Sequence, residues 1–151
     1  DVQGSQIAEL FFAYPVSKPD VVADSLYACS DTILQRKKNA ELMAMLLQKD
    51  LQKFSETINS DIDNSVRLSS WYPGDMPKYY MQALVLYQYL TDIEMIDAKE
   101  LYPALYNKVV GEFEKYQATK KEYYIYSEQN RKNRLYMNYG STYWWYFDFQ
   151  D

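Results

Sequence analysis

The amino-acid sequence predicts an all-α fold of stacked antiparallel helical hairpins, and three observations carry that expectation. Residues 40–58 hold two runs of helix-forming residues separated by a short polar break. Residues 78–90 are apolar on nearly every face of a helix, and Pro103 opens a stripe of apolar residues at spacings of three and four. That spacing is the period of a helix with one face turned to a core.

Taken in order, Ile7–Ala13 is apolar at helical spacing, follows Ser5 as a cap and stops at Pro15. Asp20–Tyr27 reads as a short helix with Pro19 at its first turn, although Val21 and Val22 also suit a strand. A stronger run begins at Lys38 or Asn39 and continues from Ala40 to Leu47 in strong helix formers. Gln48-Lys49-Asp50 breaks it, and Leu51, Phe54 and Ile58 then form one helical face behind Asp50, whose carboxylate suits an N-cap. A link this short predicts an antiparallel helical hairpin.

Residues 60–77 carry the turn formers Asp61, Asp63, Asn64, Pro73, Gly74 and Pro77 and read as a long loop. Its acidic start is no calcium loop, because Val66 stands where the turn glycine belongs and Tyr72 where the bidentate glutamate belongs. Lys78–Leu90 is a helix for the middle of a domain, with Pro77 at its first turn. Asp92–Leu101 reads as a connector. The helix from Pro103 sets Leu105, Val109, Phe113 and Tyr116 opposite Lys108, Glu112 and Lys115. Leu135, Tyr136 and Tyr139 suit a last helical turn closed by a C-cap Gly140, with Ser141 as the next N-cap. In the terminal run Tyr143–Phe149, a helix pairs Tyr143 with Phe147 and Trp145 with Phe149, while a strand puts all four on one face. No partner strand is evident elsewhere, which favours the helix.

Composition narrows the chemistry. A length of 151 residues with 48% hydrophobic and 25% charged residues suits a single globular domain over 1–151. The chain opens at Asp1 without a methionine and reads as a piece of a longer protein. The net charge of −5 argues against nucleic acid, which needs a basic surface. Positive charge is local, at Arg36-Lys37-Lys38, Lys120-Lys121 and Arg131-Lys132-Arg134, and reads as solvated faces, with a phosphate or lipid-headgroup contact as the alternative. No stretch approaches the roughly 20 apolar residues of a membrane span, so a membrane enters only through a segment outside this chain.

There is no histidine, which removes Ser-His-Asp and Cys-His catalysis and the commonest metal ligand. Cys29 is alone, and four scattered glycines offer no phosphate-cradling loop. Asp61, Asp63 and Asp75 are the candidates for carboxylate-only hydrolysis and read as solvated turn residues. The expectation is a protein with no catalytic residue, no cofactor and no metal.

Aromatic side chains are what remains. Of 17 tyrosines, only Tyr14 and Tyr27 precede Trp71. Rings that fill a core can also stack on a ligand. The candidate partner-binding residues are Trp71, Tyr72, Tyr79, Tyr80, Tyr87, Tyr143 and Trp144, with core packing as the competing use of each. A protein or peptide partner is the first expectation. A glycan stacked on exposed rings such as Trp71 and Tyr72 is the alternative.

Three patches in fixed order add a resemblance: Asn39, Ala44, Leu46-Leu47, Lys49-Asp50-Leu51 and Phe54; then Pro77, Tyr79, Ala83-Leu84 and Tyr87; then Gly140 and Thr142-Tyr143-Trp144-Trp145-Tyr146. Together they resemble the C-terminal, tetratricopeptide-like domain of a Bacteroidetes family of unknown function. The resemblance implies a hydrophobic, multi-spanning part elsewhere in the parent protein and a cell-envelope location. It supplies no catalytic residue, and the 34-residue tetratricopeptide pattern itself is not recoverable here.

Overall fold

The computed structural model describes residues 23–59, 71 and 74–151, and the described residues are helical with no strand among them. The expected helix at 7–13, residues 60–70, and Tyr72 and Pro73 lie outside the described residues, Asp61 and Asp63 among them. The helices are α1 (Ala23–Leu47), α2 (Leu51–Ile58), α3 (Lys78–Thr91), α4 (Ile96–Leu101), α5 (Pro103–Glu122), α6 (Glu128–Tyr139) and α7 (Tyr143–Phe149), with a 3-10 turn at Tyr123–Ile125. They fall into two units divided after Ser70.

In the first unit α1 and α2 fold back on each other as the sequence predicts. One expectation is corrected: no break separates Tyr27 from Asn39, and α1 runs through both as one helix. Residues 28–38 contain neither glycine nor proline, so nothing in them stops a helix. The turn is a Schellman motif. Asp50 N–H donates to Met45 O at 2.9 Å and Lys49 N–H to Leu46 O at 3.0 Å. Lys49 holds the left-handed position, at φ 62°, where glycine is the usual residue. Asp50 then caps α2, accepting from Lys53 N–H at 3.1 Å. Leu42, Leu46, Phe54 and Ile58 are fully buried.

The second unit is built around α3. Seven consecutive residues, Tyr80–Leu86, are buried, which covers every face of its central turns. Pro77 is its N-cap and not a first-turn residue, because its ψ of 132° is extended. Against α3 pack α5 and α7; α5 also meets α4 and α6, and α6 meets α7. The expected connector 92–101 contains the short helix α4, which buries Ala98 behind a buried Met95. Asp97 in its first turn and Lys99 in its last oppose the helix dipole favourably. On α5 the buried stripe is Tyr106, Val109, Phe113 and Tyr116, so Tyr106 takes the place expected for Leu105. Glu112, expected on the solvent face, pairs with Lys78 at 2.9 Å.

The α6–α7 corner corrects two further expectations. Gly140 has φ −62° and is not a left-handed cap. Its glycine is required by space, since a Cβ there would lie 2.5 Å from the Tyr136 ring. Thr142, not Ser141, caps α7: its Oγ1 accepts from Trp145 N–H at 3.3 Å and donates to Tyr139 O at 2.7 Å. The terminal run is helical, with Tyr143–Phe147 at 6.1 Å and Trp145–Phe149 at 5.9 Å between ring centroids.

Candidate functional site

Gln82 sits in the middle of the α3 surface that receives α7. Its side-chain Oε1 accepts the Tyr143 N–H at 2.9 Å, and its main-chain carbonyl accepts Trp144 Nε1–H at 2.9 Å. The first amides of a helix lack partners within it, so a buried α7 start needs such an acceptor. At the other end of α7, Asp148 accepts from the Tyr116 hydroxyl at 2.5 Å and from Lys120 at 2.9 Å. Burial first, then the Asp148 charge and hydrogen bond, push the Tyr116 hydroxyl well above the usual tyrosine range.

This docking consumes several of the sequence candidates. Trp144 is buried, its ring 5.1 Å from Phe113 and 5.9 Å from Tyr116. Tyr143 is buried and meets the half-buried Tyr79 edge-on at 5.2 Å. Tyr80 is buried and meets a half-buried Trp71 edge-on at 5.9 Å. Tyr87 is half-buried, and Tyr72 lies outside the described residues. Burial raises the hydroxyls of Tyr80 and Tyr143, and it pushes Tyr79, helped by Tyr146, up to about 12. The structure thus gathers Tyr79, Tyr143 and Trp144 at one place and Trp71 with Tyr80 at another.

A cleft of about 630 Å³ lies elsewhere in the second unit, between the C-terminal half of α3 and the middle of α5. Val85, Val110, Phe113 and Tyr89 make its apolar lining, and Gln88, Gln117, Asp92, Glu94 and Glu114 its polar one. Phe113 joins cleft to core, meeting Tyr89 at 5.2 Å on one side and Trp144 at 5.1 Å on the other. Tyr89 is exposed. The acidic lip is fixed by the backbone. Asp92 turns the chain in the left-handed conformation (φ 59°), its N–H on Gln88 O at 2.8 Å. The Gln88 side chain accepts from Met95 N–H at 2.9 Å and donates to the Tyr106 hydroxyl at 2.9 Å, which ties the lip to α5.

A smaller pocket, about 410 Å³, is lined by Lys78, Tyr79, Gln82, Glu112, Asn138, Tyr139, Ser141, Thr142 and Trp144. It is rich in hydroxyls and amides with two tyrosine rings beside them. Among the described residues, no three His, Cys, Asp or Glu side chains are placed to hold a metal ion, and no helix is long and apolar enough to cross a membrane.

Sequence reasoning missed the larger cleft. Four tyrosines on α3 cannot all face inward, and that excess is the one signal pointing to Tyr89; Asp92 and Glu94 fall in a segment that reads as connector, and Glu114 on a helix outside the buried stripe.

Fold and cleft define an all-α protein whose exposed concavity is apolar within and acidic at the lip. Residues 41–150 match the model of a family of unknown function, DUF6057, and the chain belongs to that family. No curated protein and no solved structure matches it.

Proposed function

We propose that this chain is a non-catalytic protein-interaction module whose partner segment lies in the α3–α5 cleft. The cleft carries the reading: an open concavity of about 630 Å³ whose apolar lining includes an exposed ring, Tyr89, packed on a fixed one, Phe113. Aromatic anchors in rigid surroundings are what peptide segments dock against. Asp92, Glu94 and Glu114 suit a segment that also carries a cation. The order of the three sequence patches supports a tetratricopeptide-like arrangement and a Bacteroidetes cell-envelope parent.

Selection of a random peptide library on the chain tests this. The expected result is an enriched motif with an apolar residue next to a Lys or Arg, whose affinity falls about ten-fold or more in Tyr89→Ala. Failure to enrich any motif, or equal binding by Tyr89→Ala and Glu114→Lys, refutes it.

The smaller pocket favours a second reading, a glycan-binding module. Tyr79 and Tyr139 offer rings to a sugar, while Glu112, Asn138 and Ser141 offer hydrogen bonds. Trp144 lines that pocket, so oligosaccharide titration followed by tryptophan fluorescence is its test, and flat traces across a diverse panel retire it.

A further inference from the structure

The corner between α5 and α6 exposes apolar side chains that the packing of the second unit does not use. Ile125 is 83% exposed and Tyr124 59%. They sit among cations. Arg131 lies 4.7 Å from the Tyr124 ring and Arg134 4.0 Å from the Tyr126 ring, with Lys121 one turn before Ile125. Arg131 also donates to Tyr123 O and Tyr126 O, both at 3.3 Å, so the 3-10 turn is held with Ile125 at its end.

Charge sharpens the contrast. Between Lys120 and Arg134 the chain carries five cations against Glu122 and Glu128, in a molecule of net charge −5. Lys120 is engaged by Asp148, whereas Lys121, Arg131, Lys132 and Arg134 are in no ion pair among the described residues. Tyrosine rings with Lys and Arg around an exposed aliphatic tip combine what a bilayer interface selects: amphipathic rings at headgroup depth, an apolar wedge below them and cations on lipid phosphates. An acidic protein surface would satisfy the cations and leave Ile125 without a use.

We infer that this corner, Lys121, Tyr124, Ile125, Arg131 and Arg134, is a peripheral contact for the surface of an anionic phospholipid bilayer. It adds to any membrane-spanning segment a contact within the chain itself, and it is independent of the α3–α5 cleft.

The test is co-sedimentation of the whole chain with phosphatidylcholine vesicles, with and without about one-third phosphatidylglycerol. Binding is expected to the anionic vesicles alone and to fall with salt. Lys121→Glu with Arg134→Glu should weaken it on the order of twenty-fold or more. Ile125→Ser should weaken it several-fold with no change in charge. All three side chains are exposed, so unfolding does not confound the variants; unchanged circular dichroism melting verifies this. No sedimentation with anionic vesicles, or binding indifferent to these substitutions, overturns the inference. So does retention on polyglutamate as strong as on vesicles with Ile125→Ser neutral in both, which would mark the corner as a dock for acidic protein.

Discussion

Replacing Gln82 with methionine isolates one hydrogen bond at the α3–α7 junction. The two side chains are nearly equal in length, so the packing loss from the swap stays below about 1.5 kcal/mol. What disappears is the Oε1 acceptor 2.9 Å from the Tyr143 N–H, at a position where both residues are buried. A buried donor left without its acceptor costs about 1–3 kcal/mol. The expected destabilisation is therefore about 2 kcal/mol, or roughly 4–8 °C in melting temperature for a chain of this size. The Trp144 Nε1 bond goes to the Gln82 main chain and survives the change. All three tryptophans, Trp71, Trp144 and Trp145, lie in the second unit, so fluorescence-monitored urea unfolding reads that unit alone. Removing an exposed hydrogen bond on α6 by Gln129→Ala serves as control and should stay within about 0.5 kcal/mol. If Gln82→Met also falls within that margin, the terminal helix is not held by Gln82 and the description of the junction is wrong.

Other expectations follow from the same geometry. Gly140→Ala forces a Cβ into the Tyr136 ring, which packs edge-on against Trp145 at 4.9 Å, and should cost about 1–3 kcal/mol by urea unfolding; a neutral result would show that the ring moves freely. Lys49→Gly relieves a left-handed lysine in the Schellman turn and should stabilise the first unit by up to about 1 kcal/mol, read by amide exchange of α1 and α2, whereas destabilisation would show that the lysine side chain matters more than its backbone. Alkali should unfold the protein. Above the ordinary tyrosine value of 10.0 the unfolded chain loses protons that Tyr79 keeps up to about 12 and Tyr116 keeps further, so the native state binds more protons and stability falls as pH rises. Tyr79→Phe should flatten the decline of the urea midpoint between about pH 10 and pH 12, and an unchanged slope contradicts the assignment.

Much of the helical framework was legible because it depends on local rules. Asp50 announces its helix by its oxygen, Pro103 by its fixed φ, and the terminal aromatics pair at the helical spacing of four. Sequence failed where tertiary structure overrides the local rule. Arg36-Lys37-Lys38 reads as a solvated helix face or loop, and α1 passes through it but buries Arg36. Glycine at position 140 suggests positive φ, but among the described residues the left-handed ones are Lys49 and Asp92, and Gly140 answers a close approach by the Tyr136 ring. Tyrosines 79, 80, 143 and Trp144 carried the functional suspicion because aromatic surface serves core and ligand alike. The burial of Tyr143 and Trp144 was decided by where α7 docks, which depends on Gln82, sixty-one residues upstream of Tyr143. The cleft joins residues of α3 and α5 with a turn between helices, and no periodicity links them.

The proposal that the α3–α5 cleft receives a partner segment is open to test by crosslinking. A photoreactive benzophenone side chain placed at Tyr89, and separately at the exposed Gln129 on α6, addresses it most directly in cells making the protein. Crosslinks are expected from position 89 that map to one segment of one partner and are competed by a library-selected peptide, with none from position 129. Crosslinks from 129 to the same segment, or none from 89 that the peptide displaces, would contradict it.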